Sequence, residues 1–305
     1  MLSNREKRSA SGLLCATLLV LLSLAAPLRG QENRAPEISA AELVRLTVAH
    51  EMEAAQDDFH KHLFRSRKQV PRGSQTRLYI ETNDSMAGMT IAYNDQLLTP
   101  QQQKAEQDHL AWLASNPQQL RKKRAQEKAD EQRTLRILRA LPDAFLYQYD
   151  GTETGQPALG KTGDPLTKLK FTPNPAYSPP SRVEQVLQGL QGYLLIDAAA
   201  HRLARIDGTL FRDVTFGWGI IGHLDKGGSF RVQQADVGDG SWEITSMKLK
   251  VTGKILLFRG LSITTDEVFS DFRAVPADLT FAKAVDLLKA EQQKFVHEAE
   301  SEAER

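Results

Sequence analysis

Cysteine is almost absent from this chain. The only cysteine among the 305 residues is Cys15, which lies inside an N-terminal apolar run. A lipid-modified cysteine would instead follow a completed apolar stretch, so Cys15 does not favour a lipoprotein. If that run is removed after export, neither disulfide bonds nor thiolate metal sites can stabilise the remaining chain. Stability must then come from packing.

Long apolar runs are also scarce. The longest, Leu13 to Leu24, is short of the roughly 20 apolar residues that a membrane helix needs. Basic residues precede it within residues 5–8, and Ala25-Ala26-Pro27 follow it. This order of charged, apolar and small residues is that of a secretory signal peptide. We therefore predict a signal peptide over residues 1–30 and a periplasmic protein that is soluble after cleavage.

Neither charge sign is in excess, since 39 basic residues face 38 acidic ones. This balance gives no general attraction to nucleic acid. A zinc site needs three or four ligands, and His50, His60 and His62 have no carboxylate at a characteristic spacing, so surface histidines are expected. The chain also lacks a Gly-x-Ser-x-Gly nucleophile motif. We predict no metal, no cofactor, no nucleic-acid partner and no enzymatic activity.

Two glycine strings imitate nucleotide sites. Gly155 to Thr162 matches G-x-x-x-x-G-K-[ST], and Gly217 to Gly222 matches G-x-G-x-x-G. Both sites require a helix directly after the glycines, because its N-terminal amides bind the phosphates. Here Gly163-Asp164-Pro165 and then an alternating segment follow the first string, and turn residues follow the second. A flexible hairpin loop and a backbone bend are the better interpretations.

Alternating segments predict an antiparallel sheet. They begin with Gln75 to Thr82 and Met89 to Leu98, after a short N-terminal helix. Thr99-Pro100 is typical of a helix start, and Asn116-Pro117 separates two helices that end near Leu141. The sheet then resumes as a meander, and a helix with an apolar stripe closes the chain. We expect a single domain over residues 31–276 with a helical insertion at about 99–141, and a C-terminal helix and charged tail over 277–305.

The second inserted helix is strongly basic. Eight Lys or Arg face three acids between Arg121 and Arg139. An ordinary solvated face would explain this composition, and attraction to an anionic membrane or an acidic partner is the sharper hypothesis. Its candidate residues are Arg121, Lys122, Lys123 and Arg124.

Two segments carry a resemblance to a known family. Gly192-Tyr-Leu-Leu-Ile-Asp197 followed by His201-Arg-Leu-Ala-Arg-Ile-Asp-Gly208 resembles a hairpin of outer-membrane lipoprotein-sorting proteins of the LolA/LolB type. The continuation to Arg273 is similar to exported, acidobacterial relatives of that group. The resemblance covers roughly residues 140–276. It implies an α+β fold with an unclosed antiparallel β-barrel, covered by helices and curled around an apolar cavity for acyl chains. The helical insertion departs from this pattern.

The leading hypothesis is therefore a non-enzymatic carrier for a lipid, a lipoprotein acyl chain or another apolar ligand. An envelope sensor or scaffold that binds a protein partner is the alternative, and an exported hydrolase is a third. A continuous apolar cavity would favour the carrier. The side chains predicted to line that cavity are Leu194, Ile196, Ala204, Ile206, Met247, Leu249, Val251, Ile255, Leu257, Leu261 and Ile263.

Overall fold

The computed structural model describes residues 38–57, 59–216, 222–255 and 259–303. The predicted signal peptide lies outside these ranges, as do Leu257 and most of the second glycine string. From Ser39 onward the described residues belong to one unit.

Within the described residues, thirteen strands form one sheet in which every pairing between strands is antiparallel. They are β1 (Lys61–Val70), β2 (Gly73–Ile80), β3 (Ala87–Tyr93), β4 (Gln96–Leu97), β5 (Phe145–Thr154), β6 (Pro165–Pro173), β7 (Leu190–Asp197), β8 (Arg202–Leu210), β9 (Val214–Phe216), β10 (Gly222–Leu224), β11 (Ser229–Asp236), β12 (Trp242–Ile255) and β13 (Arg259–Val275). The order across the sheet is β4-β3-β2-β1-β13-β12-β11-β8-β7-β6-β5, with β10 joining β9 to β12.

In the part of the chain that the structure describes, five α-helices accompany the sheet. They are α1 (Ala40–Ala54), α2 (Pro100–Ser115), α3 (Pro117–Ala144), α4 (Arg182–Gln185) and α5 (Phe281–Ala303), with a 3₁₀ turn at Val186–Gly189. A capping box between Thr99 and Gln102 fixes the start of α2. Among the described residues, no helix is long and apolar enough to cross a membrane.

The sheet does not close into a barrel. Its edge strands β4 and β5 are not paired with each other anywhere in the described residues. The predicted fold class, an α+β fold with an unclosed antiparallel sheet and covering helices, is confirmed. The loop after β5, which contains the first glycine string, leads directly into β6, so the helix required for phosphate binding is absent there. That loop is not merely a flexible hairpin, because Leu159 is buried and the Gly160 amide donates to the Gln234 carbonyl.

Helices cover the sheet in two separate places. One apolar cluster joins α1 and the C-terminal end of α3 to strands β5 to β8. A second cluster joins α2 and α5 to strands β1 to β3. The helix α3 contributes to both, because Leu120 packs on the second cluster and Leu138 on the first. The sheet between them, around β12 and β13, keeps large apolar side chains exposed.

A buried ion pair fixes α1 on the sheet. Glu51 of α1 accepts hydrogen bonds from Arg202 Nε at 2.9 Å and from the Leu203 amide at 2.8 Å. The side chains of Glu51 and Arg202 are 7% and 10% exposed. Removing one member of such a pair leaves the other charge buried and uncompensated, which is costly.

Glu51→Ala should therefore lower the free energy of unfolding by about 3 kcal/mol. The measurement is urea denaturation at 25 °C. Glu42→Ala is the matched control, since Glu42 lies on the same helix in an exposed pair with Arg45 and should change stability by less than about 0.5 kcal/mol. Equal effects of the two variants would contradict the structural role of the buried pair.

Candidate functional site

An apolar cavity of about 480 Å³ lies between the sheet and α3. The walls come from α3, from the segment around Leu187 and from strands β5 to β8 and β10 to β12. Its lining residues are Thr134, Ile137, Leu138, Leu141, Phe145, Phe171, Val186, Leu187, Leu190, Leu203, Ile206, Leu210, Leu224, Gly228, Ser229, Phe230, Val232, Gln234, Ile244, Leu249 and Val251. Most of these side chains are hydrocarbon, as expected for a site that binds an apolar molecule.

Cross-strand pairing explains how the sheet builds its wall of the cavity. Ile206 of β8 lies opposite Leu194 on one side and Val232 on the other, so these side chains share a face. On the same face Gly208 lies opposite Phe230. A Cβ atom on Gly208 would come within 2.2 Å of the Phe230 ring. Because Gly208 has no side chain, the Phe230 ring can occupy this part of the wall.

Three of the predicted cavity residues, Ile206, Leu249 and Val251, line the cavity. Leu194 and Ile196 are fully buried in the adjoining apolar cluster and do not reach the cavity surface.

The other predicted residues lie elsewhere. Ala204 is buried in a third cluster with Leu195 and Leu166, because a bulge between Leu195 and Ile196 displaces the register at this point of β8. Met247 and Ile263 are exposed and Leu261 is half-buried. The Ile255 side chain and Leu257 lie outside the described residues.

The opposite wall of the cavity was not predicted from the sequence. Thr134, Ile137, Leu138 and Leu141 of α3 face the sheet at helical spacing. The apolar positions of α3 were visible in the sequence, but the basic residues around them dominated its interpretation. The missed signal is the period of 3.6 residues within a highly charged helix.

The four basic candidates on α3 divide into two kinds. Arg121, Lys122 and Arg124 are exposed, and no carboxylate within the described residues forms an ion pair with them. Lys123 instead pairs with Glu127 and donates to the Met86 carbonyl at 2.6 Å. Lys123 therefore fastens the helix to the segment after β2, and only its three neighbours form a free basic surface.

A second feature lies where the pairing between β12 and β13 ends, beyond Ser246 and Val268. His62 of β1 is only 1% exposed, and its Nε2 atom lies 2.7 Å from Asp239 Oδ2. The other ring nitrogen, Nδ1, lies 3.3 Å from Glu243 Oε1 and 3.7 Å from Glu81 Oε2. We call His62, Glu81, Asp239 and Glu243 the histidine clasp. The expectation of a surface histidine is wrong for His62, because β1 carries it into contact with the distant β11–β12 turn.

Ser241 gives the clasp some likeness to a nucleophilic triad, since its Oγ lies 3.3 Å from His62 Nε2. The geometry differs from that of a catalytic pair. Ser241 Oγ donates to Asp239, and Asp239 also occupies Nε2, the atom that would have to accept the serine proton. The residues described contain no group of three or more His, Cys, Asp or Glu arranged to hold a metal ion. The clasp is an ionic contact between parts of the sheet.

The clasp shifts the protonation of its members. The Glu81 carboxylate, with Asp239 and Glu243, raises the pKa of His62 to about 9 and outweighs its burial. Burial together with the negative charge of Glu81 raises the pKa of Glu243 to about 7. Burial opposes ionisation of Asp239, but hydrogen bonds from Ser241 and His62 hold its pKa below the ordinary value. At neutral pH, His62 is therefore a cation and Glu243 is partly protonated.

No protein-family model and no curated protein matches the sequence. Among solved structures, the chain is similar to a domain from Vibrio parahaemolyticus that is provisionally described as an outer membrane lipoprotein-sorting protein domain. The sequences are 12% identical, the match covers 80% of this chain and 97% of that domain, and the TM-score is 0.29. Membership of that family stays a prediction.

The raised pKa of His62 predicts pH-dependent stability. Because the folded-state pKa is above the unfolded value of about 6.5, its stabilisation is complete below pH 6.5 and is lost as pH rises through 9. We expect the free energy of unfolding to fall by about 2 kcal/mol over this interval, and His62→Gln to reduce the fall. Urea denaturation at each pH measures the stability, and an NMR titration of the ring protons measures the pKa. A His62 resonance that titrates at pH 6.5 would contradict the assignment.

Proposed function

We propose that this protein is a periplasmic, non-enzymatic carrier that binds a lipid, a lipoprotein acyl chain or a similar apolar ligand in the cavity between the sheet and α3. The observation that supports this proposal most directly is the cavity of about 480 Å³ with its hydrocarbon lining. Ligand pockets span roughly 300–1,000 Å³. Protein cores leave few voids larger than one water molecule, so a space of this size supports a binding site rather than a packed interior.

The exposed edge of the cavity supports entry of an apolar molecule. Ile244 and Leu249 line the cavity and are 39% and 36% exposed. Met247 and Ile263, on the neighbouring part of β12 and β13, are exposed to a similar degree. Contiguous exposed apolar side chains are unusual on a soluble surface without a binding role. They provide a hydrocarbon path from the surface into the cavity.

The polar lining residues indicate where the ligand's polar end would lie. Thr134, Ser229 and Gln234 carry the polar side chains of an otherwise apolar lining. The Thr134 hydroxyl donates to the Asp130 carbonyl at 3.3 Å, whereas the side chains of Ser229 and Gln234 form no hydrogen bond to another described residue. A ligand with one ester, acid or amide group could therefore bond there while its hydrocarbon fills the remainder.

Val251→Phe should weaken binding of a fluorescent fatty-acyl probe at least about tenfold, which is about 1.4 kcal/mol, because the larger ring occupies part of the cavity. Fluorescence titration measures the Kd. Val268→Phe is the matched control: Val268 lies on the adjacent strand, is 49% exposed and does not line the cavity. It should bind the probe as the unchanged protein does.

Native mass spectrometry of protein purified from its own envelope, followed by organic extraction, tests occupancy directly. We expect a bound lipid. If the protein carries no lipid under mild conditions and binds no acyl probe, the carrier hypothesis is overturned. The alternative, a scaffold that binds a protein partner, is then favoured.

We also propose that the free basic surface of α3 brings the cavity to anionic membrane. Arg121, Lys122 and Arg124 are exposed on the same helix whose C-terminal half forms the cavity wall. Each basic residue near an anionic surface contributes about 1 kcal/mol. The three together would hold the carrier at a membrane reversibly.

Reversing Arg121, Lys122 and Arg124 to Glu should weaken binding to phosphatidylglycerol-containing vesicles on the order of 100-fold at low salt. Vesicle co-sedimentation measures this. Lys283, Lys289 and Lys294, reversed together on α5, provide a control with the same change in net charge. A loss of equal size in both variants would show that only net charge matters, and unchanged binding would remove the docking role.

A further inference from the structure

The sheet divides at one point along β12. Pairing between β12 and β13 ends at Ser246 and Val268. Beyond it, the first residues of β12 remain paired with β11, whereas β13 continues beside β1 as far as Val275. The backbone ladder that joins the two halves of the sheet is therefore missing between Trp242 and Thr245.

The histidine clasp bridges this gap. His62 belongs to the β1 side, and Asp239 and Glu243 belong to the β11–β12 side. The contacts at 2.7 Å and 3.3 Å replace hydrogen bonds that the strands do not form here. Within the described residues, side chains rather than a backbone ladder therefore join the two sides at this end.

The charged groups around the clasp come from several elements. Glu81 follows β2 and accepts the His62 amide at 2.9 Å. Arg202 of β8 acts on Glu243 from a distance, and His60 and Asp57 form an ion pair before β1. Lys61 donates to Asn83, and the Phe272 ring of β13 meets the His62 ring edge-on. Within the clasp itself, one imidazolium faces three carboxylates.

Because of this composition, a rise in pH is expected to weaken the clasp. When Glu243 is ionised, it lies near the negative charges of Glu81 and Asp239 in a partly buried place. When His62 loses its proton, the only positive charge in the clasp disappears. Both groups lose their protons as the pH rises, with a pKa of about 7 for Glu243 and about 9 for His62. Loss of the His62 charge weakens the bridge directly. Ionisation of Glu243 also weakens it, because burial and the charges of Glu81 and Asp239 together outweigh the attraction of ionised Glu243 to His62.

We propose that the histidine clasp is a proton-operated latch, which holds the β11–β12 hairpin against β1 when Glu243 is protonated and releases the hairpin when Glu243 ionises. The hairpin reaches the cavity, because Gln234 of β11 and Ile244, the neighbour of Glu243, both line it. If the cavity binds the ligand as proposed above, the latch regulates one wall of that site. Ligand retention would then be greater in mildly acidic than in alkaline surroundings.

The test measures the hairpin itself in protein without ligand. Nitroxide labels are attached at Val237→Cys, in the β11–β12 turn, and at Asp286→Cys, an exposed position of α5. Pulsed electron paramagnetic resonance then measures the distance between the two labels. The sequence after Cys15 contains no other cysteine to be labelled. We expect a second, longer distance that gains population between pH 6 and pH 8, where His62 stays charged and Glu243 ionises.

Glu243→Gln should abolish this shift, because the amide cannot ionise. Glu153→Gln is the matched control, since Glu153 pairs with Arg205 on the sheet outside the clasp, and should retain the shift. Glu81→Gln removes the repulsion and should move the midpoint to lower pH, which provides a second test if Glu243→Gln does not fold. No change in distance from pH 6 to pH 8, or the same change in Glu243→Gln, would overturn the latch.

Acyl-probe titrations at the same two pH values separate this proposal from the carrier function. A distance shift without probe binding would retain the latch and reject the carrier. Probe binding without a distance shift would do the reverse.

Discussion

The incomplete cover of one large sheet is the constraint on which the rest of the structure depends. An apolar sheet face must be buried against another layer, and here two groups of helices meet this need separately. The helices α1 and α3 cover the strands from β5 to β8, while α2 and α5 cover those from β1 to β3. Among the described residues between them, β11 contributes Phe230 to the first cluster and β13 contributes Val275 to the second, whereas β12 contributes to neither. The cavity and the exposed apolar residues of β12 lie where cover is least complete.

The helix α3 connects the two covered regions. At about 1.5 Å per residue, its 28 residues extend about 42 Å across the sheet. Among the described residues, its apolar packing lies near Leu120 and from about Ile137 onward. The middle therefore combines a polar outer face with a few inward residues, of which Thr134 reaches the cavity. This placement explains how one helix can be highly basic and still form the wall of an apolar site.

Local patterns predicted the elements well and their partners poorly. Alternation gave the meander, and Thr99-Pro100 and Asn116-Pro117 located the starts of α2 and α3. The segment from Arg202 to Phe216 alternates without a visible break, yet it contains two strands, because the turn at Phe211 to Asp213 is read only from tertiary pairing. The bulge beside Ile196 is another example: it sends Ala204 to a different cluster from Ile206. Register errors of one residue reverse a side chain's face.

The histidine clasp was out of reach for a different reason. His62 and Asp239 are 177 residues apart, and neither lies in a sequence motif that would predict a contact between them. What brings them together is the sheet order, in which β1 lies beside β13 and the β11–β12 hairpin diverges at Ser246. Wherever a ladder ends within a sheet, polar side chains must replace its hydrogen bonds or leave the strands free to separate. This chain places one histidine and three carboxyl groups at that point. The proposed latch would be strongest when His62 is charged and Glu243 is neutral, and it lies beside the wall of the cavity.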